Sequence, residues 1–302
     1  MNNTIWLSGS RGFVGSYIRQ SLVASGYRVI SVSNSPSLSN DDSVVFVDFS
    51  KKDSIKRAVS HYGLPETFIH SGWGNVYDNQ HKCHLTDNLQ DGINLIDQLY
   101  ECGLQKFILI GSSSEYGDRV GELKEKFLPT GELNNYIKGK LALATYGFEA
   151  AKKINRTFLH IKLFYAFGAG QRSDSLISQL FKNCLEERQM NLSPCEHYRD
   201  YIHTFDIAKG INKLVNVNES GIVNLGSGSV IQLKEFVKLF WKECNADPAL
   251  LNFGSHDRTG FEPPQPRSYA SLDNLKRLTK WHPSTSIENG IKDTVKQLYL
   301  NI

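Results

Sequence analysis

Short apolar runs punctuate the first half of the chain, at 5–7, 29–32, 44–47, 68–70, 107–110 and 158–163, each of strand rather than helix length. Between them the apolar positions space out. At Val14, Ile18 and Leu22, within 13–24, the four-residue interval predicts a helix with one buried face. Strand and helix in alternation imply βαβ units, so the expected fold class is α/β, a doubly wound parallel sheet with helices on both faces. Right-handed crossovers place its ligand crevice beyond the carboxyl ends of the strands.

After residue 163 the rhythm breaks. Gly168, Gly170 and the polar stretch around Pro194 read as loops, 222–225 as a last strand returning to the main sheet, and the Pro-rich run 261–266 as a rigid loop. Two helical patterns close the chain. The expected organisation is a dinucleotide-binding Rossmann domain over 1–163, rejoined by 204–226. A smaller C-terminal lobe over 164–203 and 227–302 would hold the substrate.

Composition leaves this picture intact and removes some functions. The 302 residues are 40% apolar and 22% charged, enough to bury a sizeable core. A net charge of +3 with no basic cluster gives no case for nucleic acid. Five cysteines without a C-x-x-C pair favour neither a disulfide framework nor a zinc ribbon. His81 and His84 lie three apart, but no second ligand cluster accompanies them, so no metal is expected. The chain enters its first strand almost at once, without a secretory signal, and has no membrane-length apolar run. A cytoplasmic protein is expected.

The chemistry begins at Gly9-Ser10-Arg11-Gly12-Phe13-Val14-Gly15, between the first strand and the first helix. Glycine lets the backbone turn tightly and approach a pyrophosphate, whose charge the helix N-terminus meets. A unit that binds NAD usually ends its second strand on Asp or Glu, to hold the adenosine ribose. Here that strand ends Ser31-Val32-Ser33-Asn34-Ser35 with no acid, and Arg11 offers a guanidinium to a 2′-phosphate. Both features point to NADP(H), with Ser33 and Asn34 at the ribose and NAD as the alternative. Asp48 and Phe49 are candidates for the adenine side, Asp48 being equally a cap for the next helix.

Tyr136-Ile137-Lys138-Gly139-Lys140 sets a tyrosine and a lysine on one helix face. An ammonium group beside a phenol favours the phenolate. The strand at 107–110 delivers Gly111-Ser112-Ser113-Ser114 to the crevice edge, where a serine hydroxyl can bond a reacting oxygen.

In this order, the motifs resemble the extended short-chain dehydrogenases/reductases, which include NDP-sugar epimerases, dehydratases and 4-ketoreductases. The resemblance covers nearly the whole chain. GSRGFVG is similar to the family's cofactor loop, GSSSEYG to its serine segment and YIKGK to its Tyr-x-x-x-Lys pair. RDYIHTFDIA and NLGSG are similar to the stretches around its late helix, and the region of WHP to its closing helices. The resemblance implies that Tyr136 is the general acid/base and that Lys140 is its partner, also holding the nicotinamide ribose. It makes Ser112, four before Tyr116, the hydrogen-bonding serine. It places Asn88 near the cofactor, Arg199 at the substrate diphosphate and Arg267 where a second such arginine is often found. Ser113, Trp73 and Tyr165 are further candidates for substrate contact, Tyr165 standing where many members have asparagine. In the sugar 4,6-dehydratases Asp and Glu follow the catalytic Ser/Thr; here Ser113 and Ser114 occupy those places, which argues against dehydration.

The expected function is reduction by NADPH of the 4-keto group of a nucleotide-activated hexose, with a 6-deoxy sugar as the expected substrate. The alternatives are an NAD-dependent 4-epimerase using the same three residues and, more remotely, a non-catalytic nucleotide-binding scaffold. The region 79–101 offers a helix through which a homodimer could form.

Overall fold

The computed structural model describes residues 3–35, 44–257 and 267–300. At its centre is a seven-stranded parallel sheet whose strands run, edge to edge, Gly221–Leu225, Thr157–Leu163, Lys106–Ile110, Thr67–His70, Thr4–Ser8, Arg28–Ser33 and Val44–Phe46. Every strand expected from the sequence is there, to within a residue or two, and the first helix is Phe13–Ala24. Neighbouring residues of each strand feed opposite cores. Trp6, Phe68, Phe107 and Phe158 pack with Leu95, Leu99 and Leu143 of the helices Asp87–Glu101 and Asn135–Lys153. Ile5, Leu7, Ile69, Ile108 and Ile161 pack with Ile18, Leu22, Ile207 and Ile211 from the other face. Burial on both faces explains why these strands read as continuous apolar runs. The chain's path across the sheet reverses between Thr4–Ser8 and Thr67–His70, which opens the crevice at their carboxyl ends.

Beyond residue 163, Gly168, Gly170 and the stretch around Pro194 lie in loops as expected, but short strands that the sequence did not show stand beside them. Tyr165–Phe167 pairs with Tyr201–His203, Met190–Leu192 with Leu251–Phe253, Tyr198–Arg199 with Ile231–Gln232, and Ser268–Ala270 with Gly121–Leu123. Strands of two or three residues are too short to show a period. A third core gathers Phe167, Leu180, Phe236, Phe240 and Trp241 there. The Pro-rich run 261–266 lies outside the described residues. Among the described residues no helix is long and apolar enough to cross a membrane.

Candidate active site

Gly9 turns the chain out of the first strand at φ +71°, and a Cβ on it would lie 2.6 Å from the Gly72 amide nitrogen. A Cβ on Gly15 would lie 2.0 Å from the Gly9 carbonyl oxygen. Both positions therefore require glycine. The Gly12 amide donates to the Gly9 carbonyl (2.9 Å), and Phe13 and Val14 begin the helix. That helix has no side-chain cap and no acid in its first turn, so its leading N–H groups are left for an anion. Ser10 is buried under the loop, while Arg11 and Gly12 are exposed on it.

A cavity of about 240 Å³ continues from the loop, lined among others by Gly9, Ser33, Asn34, Phe49, Trp73 and Asn88. A strand-end crevice with a glycine turn and an open helix N-terminus fits a dinucleotide. Asn88 Oδ1 accepts from the Gly74 amide (3.2 Å) and its Nδ2 donates to the Gly74 carbonyl (3.0 Å), pinning the turn that carries Trp73. Asp48 is not among the residues lining the cavity. Its carboxylate accepts from the Ser50 amide and hydroxyl, and the hydroxyl bond, opposed by some burial, holds it below the usual carboxylate range. It does not cap the next helix, whose N-cap is Asp53. A residue the sequence reading missed does line the cavity: Asp91, whose Oδ2 accepts from Asn34 Nδ2 at 2.7 Å. It lies three residues after Asn88, and that helical spacing from a recognised position was its only signal.

Tyr136 and Lys140 stand on the helix Asn135–Lys153, whose N-cap Asn134 accepts from the Ile137 amide at 3.0 Å. Lys140 Nζ donates to the Ile110 carbonyl (2.8 Å) and lies 4.4 Å from the Trp73 ring centre and 5.6 Å from that of Tyr136. Burial pulls Lys140 down to about 8, against the opposing pull of Glu115. Tyr136 is pushed up to about 12, first by burial and then by the Glu115 charge, with a hydrogen bond from Ser112 working the other way. The sequence expectation of a phenol shifted toward phenolate is thus corrected for the free site. Burial and the Glu115 charge outweigh the hydrogen bond from Ser112, and Tyr136 carries its proton.

Ser112 is held from behind. Its Oγ accepts from the Ser114 amide (3.1 Å), and its own amide donates to Glu115 Oε1 (2.8 Å). Glu115 and His160 are fully buried together. His160 Nε2 lies 3.2 Å from Oε1 and 3.0 Å from Oε2, although Oε2 itself has no well-aligned hydrogen bond. Burial raises the Glu115 pKa, but the His160 charge and hydrogen bond, with Lys162 and the Ser112 amide, more than offset it and hold the carboxyl below its usual range. A Cβ on Gly111 would come within 2.3 Å of His160 Nε2, which leaves glycine there. Ser113 is half-buried and Ser114 exposed beside this pair.

His84 belongs to the same wall rather than to a metal site. Trp73 Nε1 donates to its Nδ1 (3.0 Å), so Nε2 carries the proton given to the Asp78 carbonyl (2.9 Å). Among the described residues no group of three or more His, Cys, Asp or Glu could hold a metal.

Beyond residue 163, the buried Arg199 lies with its guanidinium 4.9 Å from the Tyr165 ring centre and donates to the Tyr198 carbonyl at 3.1 Å. Arg267, exposed, lies 4.2 Å over the Tyr198 ring. The structure therefore gathers both arginines around Tyr198. Their neighbour Asp200, which sequence reasoning passed over, is fully buried and accepts from the amides of Ser227, Gly228 and Ala270 at 2.6, 3.0 and 2.9 Å. It ties RDY to the NLGSG stretch and to the segment after Arg267.

The model of the NAD dependent epimerase/dehydratase family matches residues 5–226. The chain belongs to this family. The chain is similar to the CDP-abequose synthase of Salmonella muenchen, 20% identical over 97% of each chain. The dTDP-6-deoxy-L-talose 4-dehydrogenase (NAD(+)) of Aggregatibacter actinomycetemcomitans is 23% identical over 80% of this chain and 90% of its own. Among solved structures, the UDP-glucose 4-epimerase of Thermotoga maritima with UDP-glucose superposes with a TM-score of 0.86 at 19% identity, covering 99% of each chain.

Proposed function

We propose that this protein is an oxidoreductase that reduces the 4-keto group of a nucleotide-activated 6-deoxyhexose. The observation that carries the reading is Tyr136, protonated by its burial and hydrogen-bonded to Ser112 above Lys140. A bound, reduced nicotinamide dinucleotide supplies the hydride. Tyr136 gives its proton to the oxygen that becomes the hydroxyl, Ser112 holds that oxygen in line, and Lys140 donates to a ribose hydroxyl. The talose 4-dehydrogenase among its relatives supports a 6-deoxy sugar and the 4 position. Dehydration is disfavoured, because serines stand at 113 and 114 and the nearby Glu115 is committed to Ser112 and His160.

Residues 164–203 and 227–302 are proposed as the substrate lobe, with Arg199, aided by Arg267, meeting the diphosphate. Ser113, Trp73 and Tyr165 would approach the sugar. Arg199→Ala is expected to weaken the sugar nucleotide about ten- to a hundredfold while sparing the dinucleotide. Titrating both ligands checks this, and equal losses would assign Arg199 to the fold. The apolar depression between the helices Asp87–Glu101 and Asn135–Lys153, which includes Tyr100, Ala142 and Tyr146, is the face we propose for a homodimer.

Burial pulls Lys140 down to about 8, so it is charged below that pH and loses its charge above it. Turnover is expected to hold on the acid side and fall as pH rises through about 8, while Tyr136, near 12, stays protonated throughout. A pH–rate profile that climbs through this region would contradict the roles given to the pair.

The test of the function is a panel of NDP-4-keto-6-deoxyhexoses with NADPH and with NADH, followed by consumption of the reduced nicotinamide and by product identification. No turnover with any member would overturn it. Arg11 and the acid-free end of the second strand favour NADP(H); Asp91 in the same crevice favours NAD(H). The latter observation supports a second reading, a 4-epimerase that retains NAD. Such an enzyme would be purified with NAD and would interconvert an NDP-hexose pair without added cofactor.

A further inference from the structure

Glu115 is a carboxylate where none is needed to hold Ser112. A neutral amide oxygen could accept from the Ser112 N–H without the cost of burying a charge. The carboxylate is nonetheless fully buried, and its Oε2 has no well-aligned hydrogen bond. We infer that Glu115 is a positioning residue that acts through Lys140: its fixed negative charge, held on the same short segment of backbone, keeps that lysine an ammonium during turnover. The inference rests on the roles given above to Tyr136 and Lys140 and deepens them.

Both charges grip residues 110–112. Lys140 Nζ donates to the Ile110 carbonyl at 2.8 Å, and Glu115 Oε1 accepts from the Ser112 amide at 2.8 Å. The residue between is Gly111, where a Cβ would lie 2.5 Å from Oε1, so no side chain separates the two groups there. Lys140, like Glu115, is buried, and little water is left to screen one from the other.

The surrounding charges leave this interaction in place. Glu115 is faced by His160 and Lys162 from the strand Thr157–Leu163, by Tyr136 and Lys140 from the helix Asn135–Lys153, and by Tyr116 from its own turn. Lys162 lies 3.8 Å over the Tyr116 ring and is shared with Glu125. Lys140 is faced by Tyr136, by the Trp73 ring with His84 stacked behind it, and by His70 from the strand Thr67–His70. Burial, and then the Lys140 charge, push His70 down to about 3, so it adds no positive charge near neutral pH. Burial draws Lys140 toward its neutral form, and the Glu115 charge opposes it.

Trp73 makes the charge of Lys140 readable without substrate or dinucleotide, because Nζ lies 4.4 Å from its ring centre. Tryptophan emission is followed as pH is raised, and the same titration of Lys140→Met is subtracted to isolate the part due to Lys140. The wild type should show a midpoint at about 8. Glu115→Gln keeps an acceptor for the Ser112 amide and loses only the charge. Its midpoint should fall by about one pH unit, a tenfold loss of proton affinity. The alkaline fall in turnover should move with it, while turnover on the acid side stays within a few-fold of wild type. Glu115→Asp keeps the charge but draws back from Ser112, so its midpoint should stay with the wild type while turnover drops at every pH. An unchanged midpoint in Glu115→Gln would overturn the inference. Equal displacement by Gln and by Asp would overturn it too, by showing a loosened turn rather than a lost charge. If Glu115→Gln does not fold, Glu115→Asp decides: a midpoint well below that of the wild type overturns the inference, and one that stays supports it. The midpoint needs no sugar, so a substrate panel without turnover would sink the proposed function and leave this result standing.

Discussion

Tyr136→Phe is expected to fold, bind its dinucleotide and lose about 10²- to 10⁴-fold in turnover, because the substitution removes a hydroxyl and little else. The ring keeps its edge contacts with Trp73 and His84, at centroid distances of 6.4 and 5.4 Å. What disappears is the proton and the hydrogen bond to Ser112. In the reduction direction the free site already holds Tyr136 in its acid form, so the whole loss should fall on the chemical step. Steady-state turnover with the 4-keto sugar, beside a titration of the dinucleotide, separates the two. Turnover within a few-fold of wild type would mean that the proton comes from elsewhere.

Glu115→Leu should be the most damaging single change to stability, costing about 3–5 kcal/mol. It leaves the Ser112 amide and His160 Nε2 in a buried space without their acceptor. The cost should appear as a clear fall in melting temperature near neutral pH. The folded Glu115 carboxyl lies below its usual range, so its contribution is present above that range and fades as pH drops through the lowered value. The gap between wild type and variant should therefore narrow in acid. Removing His160 as well, in Glu115→Leu/His160→Leu, should recover part of the loss, since the buried imidazole that the single variant leaves without its acceptor is then gone too. A single variant that melts with the wild type would show that the pair contributes nothing to holding the fold.

The sheet was legible because its information is local. A buried parallel strand declares itself in three to five consecutive apolar residues, and a helix such as Phe13–Ala24 in the interval between its buried positions. The glycine loop and the Tyr136–Lys140 pair were legible for the same reason: each needs residues only a few positions apart. The strands after residue 163 were not, because two or three residues carry no period and their partners lie far along the chain.

Tertiary structure decided the rest. It brought His160 from one strand to Glu115 behind Ser112, Asp91 from a helix to Asn34, and Asp200 to the amides at 227, 228 and 270. It also set the protonation of Tyr136. Sequence placed an ammonium one turn from Tyr136 and implied a phenolate, but could not weigh the desolvation of both groups. Spacing is a property of neighbours along the chain, whereas burial and charge pairing sum over everything that packs around a group. The sequence by itself therefore determined the main sheet, its first helix and the spacing of Tyr136 and Lys140, and only the folded chain determined the short strands and the electrostatics of the pair.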